Sequence, residues 1–290
     1  MFRLCGVLLL AALVQGSPAT GDRLLTPYNY HEEVGIPQAK LIKDAEEQMK
    51  YQRIVGGSLA EISDIPYQVG LLVSLVSGAV SVCGAALVSN TRLLTAAHCW
   101  ADGSQQARHF TAVLGSRTLY SGGTRINTNT VEVHANWNPW TLSNDIAVVT
   151  IPWVAYSNSI RNVALPAGSS TYERVNAMAS GYGRSTNDDV ISSSATLRYV
   201  WSPVLSTTAC QRHYGASVTS SHVCISGNHA VGTCQGDTGG PLVVETGSNF
   251  QKVLIGVSAF GFGHTSSCQA GLPSVFTRVT TYMTWINARL

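Results

Sequence analysis

The fold of this chain is decided by the stretch Cys234-Gln235-Gly236-Asp237-Thr238-Gly239-Gly240-Pro241. Glycine adopts backbone conformations that are closed to other residues, so a stretch this rich in glycine predicts a tight turn. The turn carries a carboxylate and a hydroxyl side by side, on Asp237 and Thr238, and leads into the β-rich run Pro241–Val244. It therefore reads as a structured connection between strands.

Similar β-rich runs recur from residue 54 onward, with Gly, Asn and Ser clustered between them. They are Tyr67–Leu75, Ala85–Val88, Thr111–Leu114, Thr130–Val133, Ile146–Ile151, Asn176–Ser180, Leu197–Val200, Pro241–Val244, Val253–Val257 and Ser274–Arg278. No run alternates with a long helical pattern, which favours an all-β sandwich or barrel over a parallel α/β sheet. In this part of the chain, only the tail at Tyr282–Asn287 reads as a helix.

Composition excludes several classes of protein. Of 290 residues, 45% are hydrophobic and 12% are charged, so the chain can bury a sizeable core and is not disordered. A net charge of +2 is too small to attract nucleic acid or an anionic membrane. From residue 54 on, the chain has 11 Arg and one Lys as against 10 acidic residues. Arginine stays charged at high pH, so this bias suits an alkaline medium, although codon bias would give the same ratio.

The amino-terminal residues predict secretion. Arg3 precedes the apolar run Leu4–Val14, and the small residue Gly16 follows, so residues 1–16 read as a signal peptide. The alternative is a membrane anchor, but about 11 apolar residues are too few for a bilayer core that needs roughly 20. Removing residues 1–16 takes Cys5 away and leaves six cysteines. In an oxidising compartment an even number suggests three disulfides, whereas zinc binding is disfavoured by the absence of a C-x-x-C pair.

Residues 17–53 differ from the rest of the chain, because they hold three of its four lysines and six acids. Residues 38–50 are compatible with a short helix after Pro37, with Leu41, Ile42, Ala45 and Met49 on one face, although a flexible pro-segment is an equal alternative. The segment ends sharply at Arg53, before Ile54-Val55-Gly56-Gly57. We therefore treat 17–53 as a propeptide.

Two further stretches contain groups suited to chemistry. Thr95-Ala96-Ala97-His98-Cys99 places a histidine in an apolar environment, and Asn144-Asp145-Ile146-Ala147 places a carboxylate at the start of a strand. Taken alone, His98 is more often a packed core residue and Asp145 a strand-end cap. Their meaning depends on the motifs around them.

These two stretches, the Ile54–Gly57 motif and the turn at 234–241 resemble, in order and spacing, the chymotrypsin-like (trypsin-fold) serine peptidase family. The arginine-rich charge and the stretch Val257-Ser258-Ala259-Phe260-Gly261 are similar to its insect midgut members. The resemblance covers essentially all of residues 54–290. It implies an all-β fold of two antiparallel β-barrels with a C-terminal helix. The barrels would span roughly 54–165 and 166–290, with the active site in the cleft between them.

The resemblance also implies roles for individual residues. His98 would be the general base, Asp145 would hold its tautomer, and the backbone amides of Gly236 and Thr238 would form the oxyanion hole. The disulfides would join Cys83 to Cys99, Cys210 to Cys224 and Cys234 to Cys268, whereas six cysteines alone allow 15 pairings. A trypsin-like protease would cleave Arg53-Ile54, and the new α-ammonium of Ile54 would pair with Asp237.

Two positions depart from the family pattern. Thr238 stands where the family has its nucleophilic serine, and the additional methyl group restricts the side chain and needs space beside the histidine. Hydrolases that use an N-terminal threonine as nucleophile offer no precedent, because Thr238 is internal. Ala259 stands where the family usually has a serine that donates to the aspartate, although a shift of the alignment by one residue would put Ser258 there.

The specificity pocket is implied by the same resemblance. Gly232 would form its base, where a trypsin-like enzyme has a carboxylate for Lys or Arg substrates. Gly261 would leave one wall open and Ser274 would line the other. A large apolar or aromatic side chain is therefore the expected P1 group.

We therefore predict a secreted, monomeric zymogen, an endopeptidase of reduced efficiency that digests peptides or proteins, with an alkaline gut lumen as a candidate location. The alternative is a catalytically silent homologue whose cleft still binds peptides or protein protease inhibitors, and a purely structural module is a third reading. No cofactor, metal, nucleic acid or membrane partner is expected.

Overall fold

In the computed structural model, residues 27–49, 61–183, 196–227, 237–260 and 271–290 are described. The predicted signal peptide, the Arg53-Ile54 bond and the glycines at 56 and 57 lie outside these ranges. Within them, no helix combines the length and the apolar character that crossing a membrane requires.

The first half of the described chain forms a seven-stranded antiparallel sheet. Its strands are β1 (Gln68–Leu75), β2 (Val80–Ser89), β3 (Arg92–Thr95), β4 (Ala107–Leu114), β5 (Thr124–Thr128), β6 (Val131–Val133) and β7 (Ala147–Thr150), in the order β5-β4-β1-β2-β3-β7-β6. Most residues of β1 and β2 are buried on both faces, which explains their nearly continuous apolar sequences.

The second half forms a closed six-stranded barrel. Its strands are β8 (Asn176–Gly181), β9 (Arg198–Leu205), β10 (His222–Ile225), β11 (Pro241–Thr246), β12 (Gln251–Phe260) and β13 (Ser274–Arg278), in the order β10-β13-β12-β11-β8-β9. All the pairings are antiparallel. The prediction of an all-β fold with two barrel-like sheets is confirmed.

Three helices accompany the sheets: α1 (Ile36–Met49), α2 (Thr207–Tyr214) and α3 (Met283–Asn287). A π-helical turn at His31–Gly35 leads directly into α1. The predicted C-terminal helix is present as α3, after a 3₁₀ turn at Val279–Tyr282. The prediction that the tail is the only helix after residue 54 is wrong, because Ser206 caps α2 by accepting from the amide of Ala209.

The buried side chains form one large core and two smaller ones. The large core fills the first sheet, continues into the barrel through Met178, Val243 and Leu254, and includes Tyr30 and Ile42 from the amino-terminal segment. A second cluster lies on the opposite face of the barrel strands, because its residues alternate along β8 and β11 with those of the large core. A third cluster lies around α2. The segment that contains α1 is therefore part of the folded body.

Candidate active site

The pairing of β3 with β7 brings His98 and Asp145 together. Thr95, the last residue of β3, lies opposite Ala147, the first residue of β7. In an antiparallel pair, the chain that leaves β3 and the chain that enters β7 are at the same end, so His98 and Asp145 meet there. His98 lies in a short 3₁₀ turn at Ala97–Cys99.

Two hydrogen bonds hold the histidine against the aspartate. The backbone amide of His98 donates to Asp145 Oδ1 at 3.0 Å, and Nδ1 of the ring lies 2.6 Å from Oδ2. Both residues are fully buried, His98 at 0% and Asp145 at 1% exposure. The carboxylate therefore sets both the position of the ring and the tautomer that carries the proton on Nδ1.

The turn that bears Thr238 packs directly against β2. The amide of Gly84 donates to the carbonyl of Thr238 at 2.7 Å. A Cβ atom on Gly84 would lie 2.8 Å from Gly240 Cα, so only glycine permits this approach. On its other side, the turn meets β12 through the amide of Gly239, which donates to the carbonyl of Ser258 at 2.7 Å. Hydrogen bonds to β2 of the first sheet and to β12 of the barrel therefore hold the Thr238 turn in place.

The Asp237 carboxylate lies against the end of β8. Its Oδ1 atom accepts a hydrogen bond of 2.8 Å from the amide of Gly183, just after β8. A Cβ atom on Gly181 would collide with the Asp237 carboxylate, which shows how closely that group is enclosed. Ile54, its predicted partner, lies outside the described residues. The predicted oxyanion-hole amide of Gly236 also lies outside them.

A disulfide fastens the histidine turn to β2. Cys83 and Cys99 are bonded, and a second disulfide joins Cys210 to Cys224. Both pairings are those that the family resemblance implies. The third predicted pair, Cys234 with Cys268, lies outside the described residues. The sulfurs of Cys83 and Cys99 lie near His98, but their mutual bond removes the thiolates that a metal ion would need.

The remaining sequence-predicted site residues are partly described. Ser274 is the first residue of β13, is buried, and lies opposite Ile225 of β10. Gly232 and Gly261, the other predicted pocket residues, lie outside the described ranges. Ala259 is buried and packs in the cluster around α2, at an irregularity in the pairing of β12 with β13. Among the described residues, both hydrogen bonds to the Asp145 carboxylate come from His98.

The sequence analysis missed an aromatic residue at this site. Tyr30, from the amino-terminal segment, stacks edge-on against His98, with ring centroids 4.8 Å apart. Its hydroxyl donates to the carbonyl of Val82 at 2.8 Å. Burial raises the pKa of Tyr30, and hydrogen bonding to the Thr238 side chain opposes that rise. The only available signal was the aromatic sequence Tyr28-Asn29-Tyr30-His31, ahead of a charged helix.

The described residues offer no partner to the other ring nitrogen of the histidine. Nε2 of His98 is buried and makes no hydrogen bond within the described part of the chain. A buried polar atom without a partner is costly, and such atoms occur at sites where a ligand or a reacting group supplies the missing bond. Nε2 is therefore the atom of this pair that is available for proton transfer.

The family model Trypsin matches residues 54–286 of this chain. A collagenase of Hypoderma lineatum is 34% identical over 244 residues, which cover 83% of this chain and 88% of that protein. Brachyurin of Leptuca pugilator is 34% identical over 240 residues, with 81% and 98% covered. Chymotrypsin-C of Bos taurus is 31% identical over 247 residues, with 82% and 89% covered.

The solved structure of HL collagenase is similar in fold and sequence. It aligns with a TM-score of 0.70 and 32% identity, and the alignment covers 81% of this chain and 97% of that one. The family model and these relatives each span most of the chain. The buried histidine–aspartate pair and the glycine turn also lie within the matched region, so the chain belongs to the trypsin family of chymotrypsin-like serine proteases.

Proposed function

We propose that this chain is the zymogen of a secreted endopeptidase that hydrolyses peptide bonds slowly, with Thr238 as its nucleophile. The observation that carries the proposal is the buried pair in which Asp145 fixes Nδ1 of His98 and leaves Nε2 without a partner. A family of proteases implies peptide or protein substrates. The finer features of the proposal, namely secretion, activation and specificity, rest on the sequence.

In the proposed reaction, Thr238 Oγ1 attacks the carbonyl carbon of the scissile bond while His98 Nε2 takes the hydroxyl proton. The negative oxygen of the tetrahedral intermediate is stabilised by the amides of Gly236 and Thr238. His98 then gives the proton to the leaving amine, and an ester to Thr238 remains. Water attacks that ester with His98 again as base, which releases the acid and regenerates the hydroxyl.

Threonine slows this reaction for a steric reason. Its γ-methyl group restricts rotation about χ1 and occupies space that a serine leaves free beside the base and the incoming carbonyl. Hydrogen bonds to β2 and β12 hold the backbone of the Thr238 turn, so it has little freedom to relieve a clash. The expected consequence is a lower kcat, because an interaction specific to the transition state is weakened.

Activation and specificity complete the proposal. Cleavage after Arg53 by a trypsin-like protease would free the Ile54 ammonium to pair with Asp237. Gly232 at the base of the pocket, with Gly261 and Ser274 on its walls, would admit a large apolar or aromatic P1 side chain. Digestion in an alkaline gut lumen fits the arginine-rich composition.

The experiment that tests catalysis compares the wild type with Thr238→Ser, both cleaved after Arg53, on a peptide with an aromatic P1 residue. We expect the kcat of the wild type to be lower than that of the serine variant by no more than roughly 100-fold, which corresponds to about 2.7 kcal/mol in the activation free energy. His98→Ala in the wild-type background is the control for background hydrolysis. Turnover by the wild type that does not exceed this control would contradict the proposal.

A second function is favoured by the threonine itself. If Thr238→Ser is active and the wild type forms no acyl-enzyme, the chain is a silent homologue that binds peptides or protease inhibitors at an intact cleft. Titration of the wild type with a protein inhibitor of chymotrypsin then measures the affinity of the cleft for such an inhibitor. Binding comparable to that of the serine variant supports this alternative, and its absence excludes it.

A further inference from the structure

Residues 27–49 lie across the candidate active site and along the first sheet. Three groups of contacts involve buried side chains of this segment, at Tyr30, at His31 and at Glu46. Each group joins this segment to residues of the family domain that are at least 50 positions away along the chain. The segment is therefore docked as a unit.

The first contact covers the reacting groups. Tyr30 is 5% exposed, and its ring packs against the His98 ring at 64°, while its hydroxyl reaches the carbonyl of Val82. The Thr238 side chain opposes the rise that burial gives to the pKa of the Tyr30 hydroxyl. A substrate carbonyl has to approach Thr238 next to His98, so it would compete with the Tyr30 side chain for that space.

The second contact is polar and completely buried. The amide of His31 donates to Asp102 Oδ2 at 2.8 Å, and Nδ1 of His31 lies 2.8 Å from Ser81 Oγ. His31 and Asp102 are both 0% exposed. The other oxygen of Asp102 accepts from the amides of Ser104 and Gln105, so the carboxylate is oriented by its own loop toward the segment.

The third contact fixes the far end of α1. Glu46 is 3% exposed and accepts hydrogen bonds from the amide of Leu119 at 2.5 Å and from that of Tyr120. The Tyr120 hydroxyl donates in return to the carbonyl of Ala39 at 2.9 Å. Between these points, Ile42 and Ala45 are buried in the large core. Polar anchors at both ends and an apolar face between them describe a specific interface.

From these contacts we infer that residues 27–49 are an intramolecular inhibitor, in which Tyr30 occupies the position that substrate needs beside His98 and Thr238. The inference rests on the proposed function, since it concerns the regulation of the same site. It adds a second step to activation. Residues 17–53 contain no cysteine, so cleavage after Arg53 leaves the segment held by non-covalent contacts, and activity requires that it also dissociates.

The first test measures access to His98 without any substrate. The uncleaved full chain is treated with diethyl pyrocarbonate, and modification of His98 is followed by mass spectrometry of its peptide. We expect Tyr30→Ala to raise the modification rate of His98 at least tenfold. Lys40→Ala, an exposed position on the same helix, is the matched control and should leave the rate unchanged. Equal rates in the wild type and Tyr30→Ala overturn the inference.

The second test uses the chain after cleavage at Arg53. Size-exclusion chromatography shows whether the amino-terminal fragment co-elutes with the domain, and we expect that it does for the wild type. Glu46→Ala removes the acceptor of the Leu119 and Tyr120 amides, far from the reacting groups, and should raise the dissociation constant of the fragment at least tenfold relative to Lys40→Ala. A wild-type fragment that separates immediately at micromolar concentration contradicts retention by these contacts.

Hydrolysis distinguishes this inference from the proposed function. In the cleaved Thr238→Ser chain, Glu46→Ala should raise the initial rate of peptide hydrolysis. The rate per molecule of the cleaved Thr238→Ser parent should rise on dilution. If no variant hydrolyses peptide but Tyr30→Ala still exposes His98, the proposed function fails and the docking stands. If the serine variant is fully active with the fragment bound, the inhibitor role fails and the proposed function stands.

Discussion

The ring of Tyr30 lies 4.8 Å from the ring of His98, although 68 residues separate them along the chain. Tyr30 lies just before the π-helical turn that precedes α1, whereas His98 lies in the 3₁₀ turn that follows β3 of the first sheet. The contact closes the site from the side of the amino-terminal segment. It links the catalytic histidine of the proposed mechanism to the residues that activation would have to displace.

The Asp145 carboxylate should be essential for rate and dispensable for folding. Asp145→Asn removes the charge that stabilises protonated His98 and favours the wrong tautomer, so kcat/KM should fall by about 10⁴-fold. The measurement is hydrolysis of an aromatic-P1 peptide by the cleaved Thr238→Ser chain with and without this change. Glu132→Gln, at an exposed ion pair with Arg289, should have no effect. Retention of more than a tenth of the activity in Asp145→Asn would exclude this role.

Docking of the amino-terminal segment should weaken in acid. Burial lowers the pKa of His31 to about 4, and the nearby His98 acts in the same direction while Asp102 opposes it. The docked state therefore excludes a proton that the free segment binds below about pH 6.5. The affinity of the cleaved fragment for the protease domain is therefore constant above that pH. It falls as the pH drops toward 4, by about 30-fold at pH 5 relative to pH 8.

The measurement is the dissociation constant of the cleaved fragment at pH 8 and pH 5, with His31→Asn as the reference. Asparagine retains a polar group near Ser81 but does not titrate. Burial raises the pKa of Glu46, so its ionisation weakens docking as the pH rises, with a sign opposite to that of His31. This contribution is common to both proteins and cancels in the comparison. An equal pH dependence in the two would show that His31 is not the responsible group.

Gly84→Ala should damage both stability and activity. The new methyl group would lie 2.8 Å from Gly240 Cα and 2.9 Å from its nitrogen, so β2 and the Thr238 turn must separate. We expect a loss of about 1–3 kcal/mol in the free energy of unfolding and a drop in kcat. Gly247→Ala, at a positive φ of 69° but with open space around it, is the control for backbone strain alone. That variant should lose stability and keep its kcat.

The two described disulfides allow a matched comparison. Cys83 and Cys99 are separated by 16 positions and Cys210 and Cys224 by 14, so the entropy of loop closure predicts a similar stabilisation of about 3 kcal/mol for each. Replacing either pair by alanine should therefore lower the free energy of unfolding by a similar amount. Only Cys83→Ala with Cys99→Ala should also reduce kcat, because Cys99 holds the turn next to His98. Equal kcat values for the two double variants would contradict this.

The sequence by itself determined the fold class. The glycine turn at 234–241, the short β-rich runs and the motifs around His98 and Asp145 predict a two-barrel protein of this family, and the pairings of Cys83 and Cys210 follow from the same resemblance. These features are local, since each is a pattern of neighbouring residues. Strands β3 and β10 were missed, and their form depends on the strands that pair with them.

Only the tertiary structure decided how the site is arranged and what covers it. The register that sets Thr95 opposite Ala147 brings His98 to Asp145, and the missing side chain of Gly84 allows the Thr238 turn to approach β2. Residues 17–53 read as a separate segment of uncertain structure, yet Tyr30 and His31 are buried against the domain. Their partners are 50 or more residues away, and such contacts arise from packing, which no local pattern of sequence encodes.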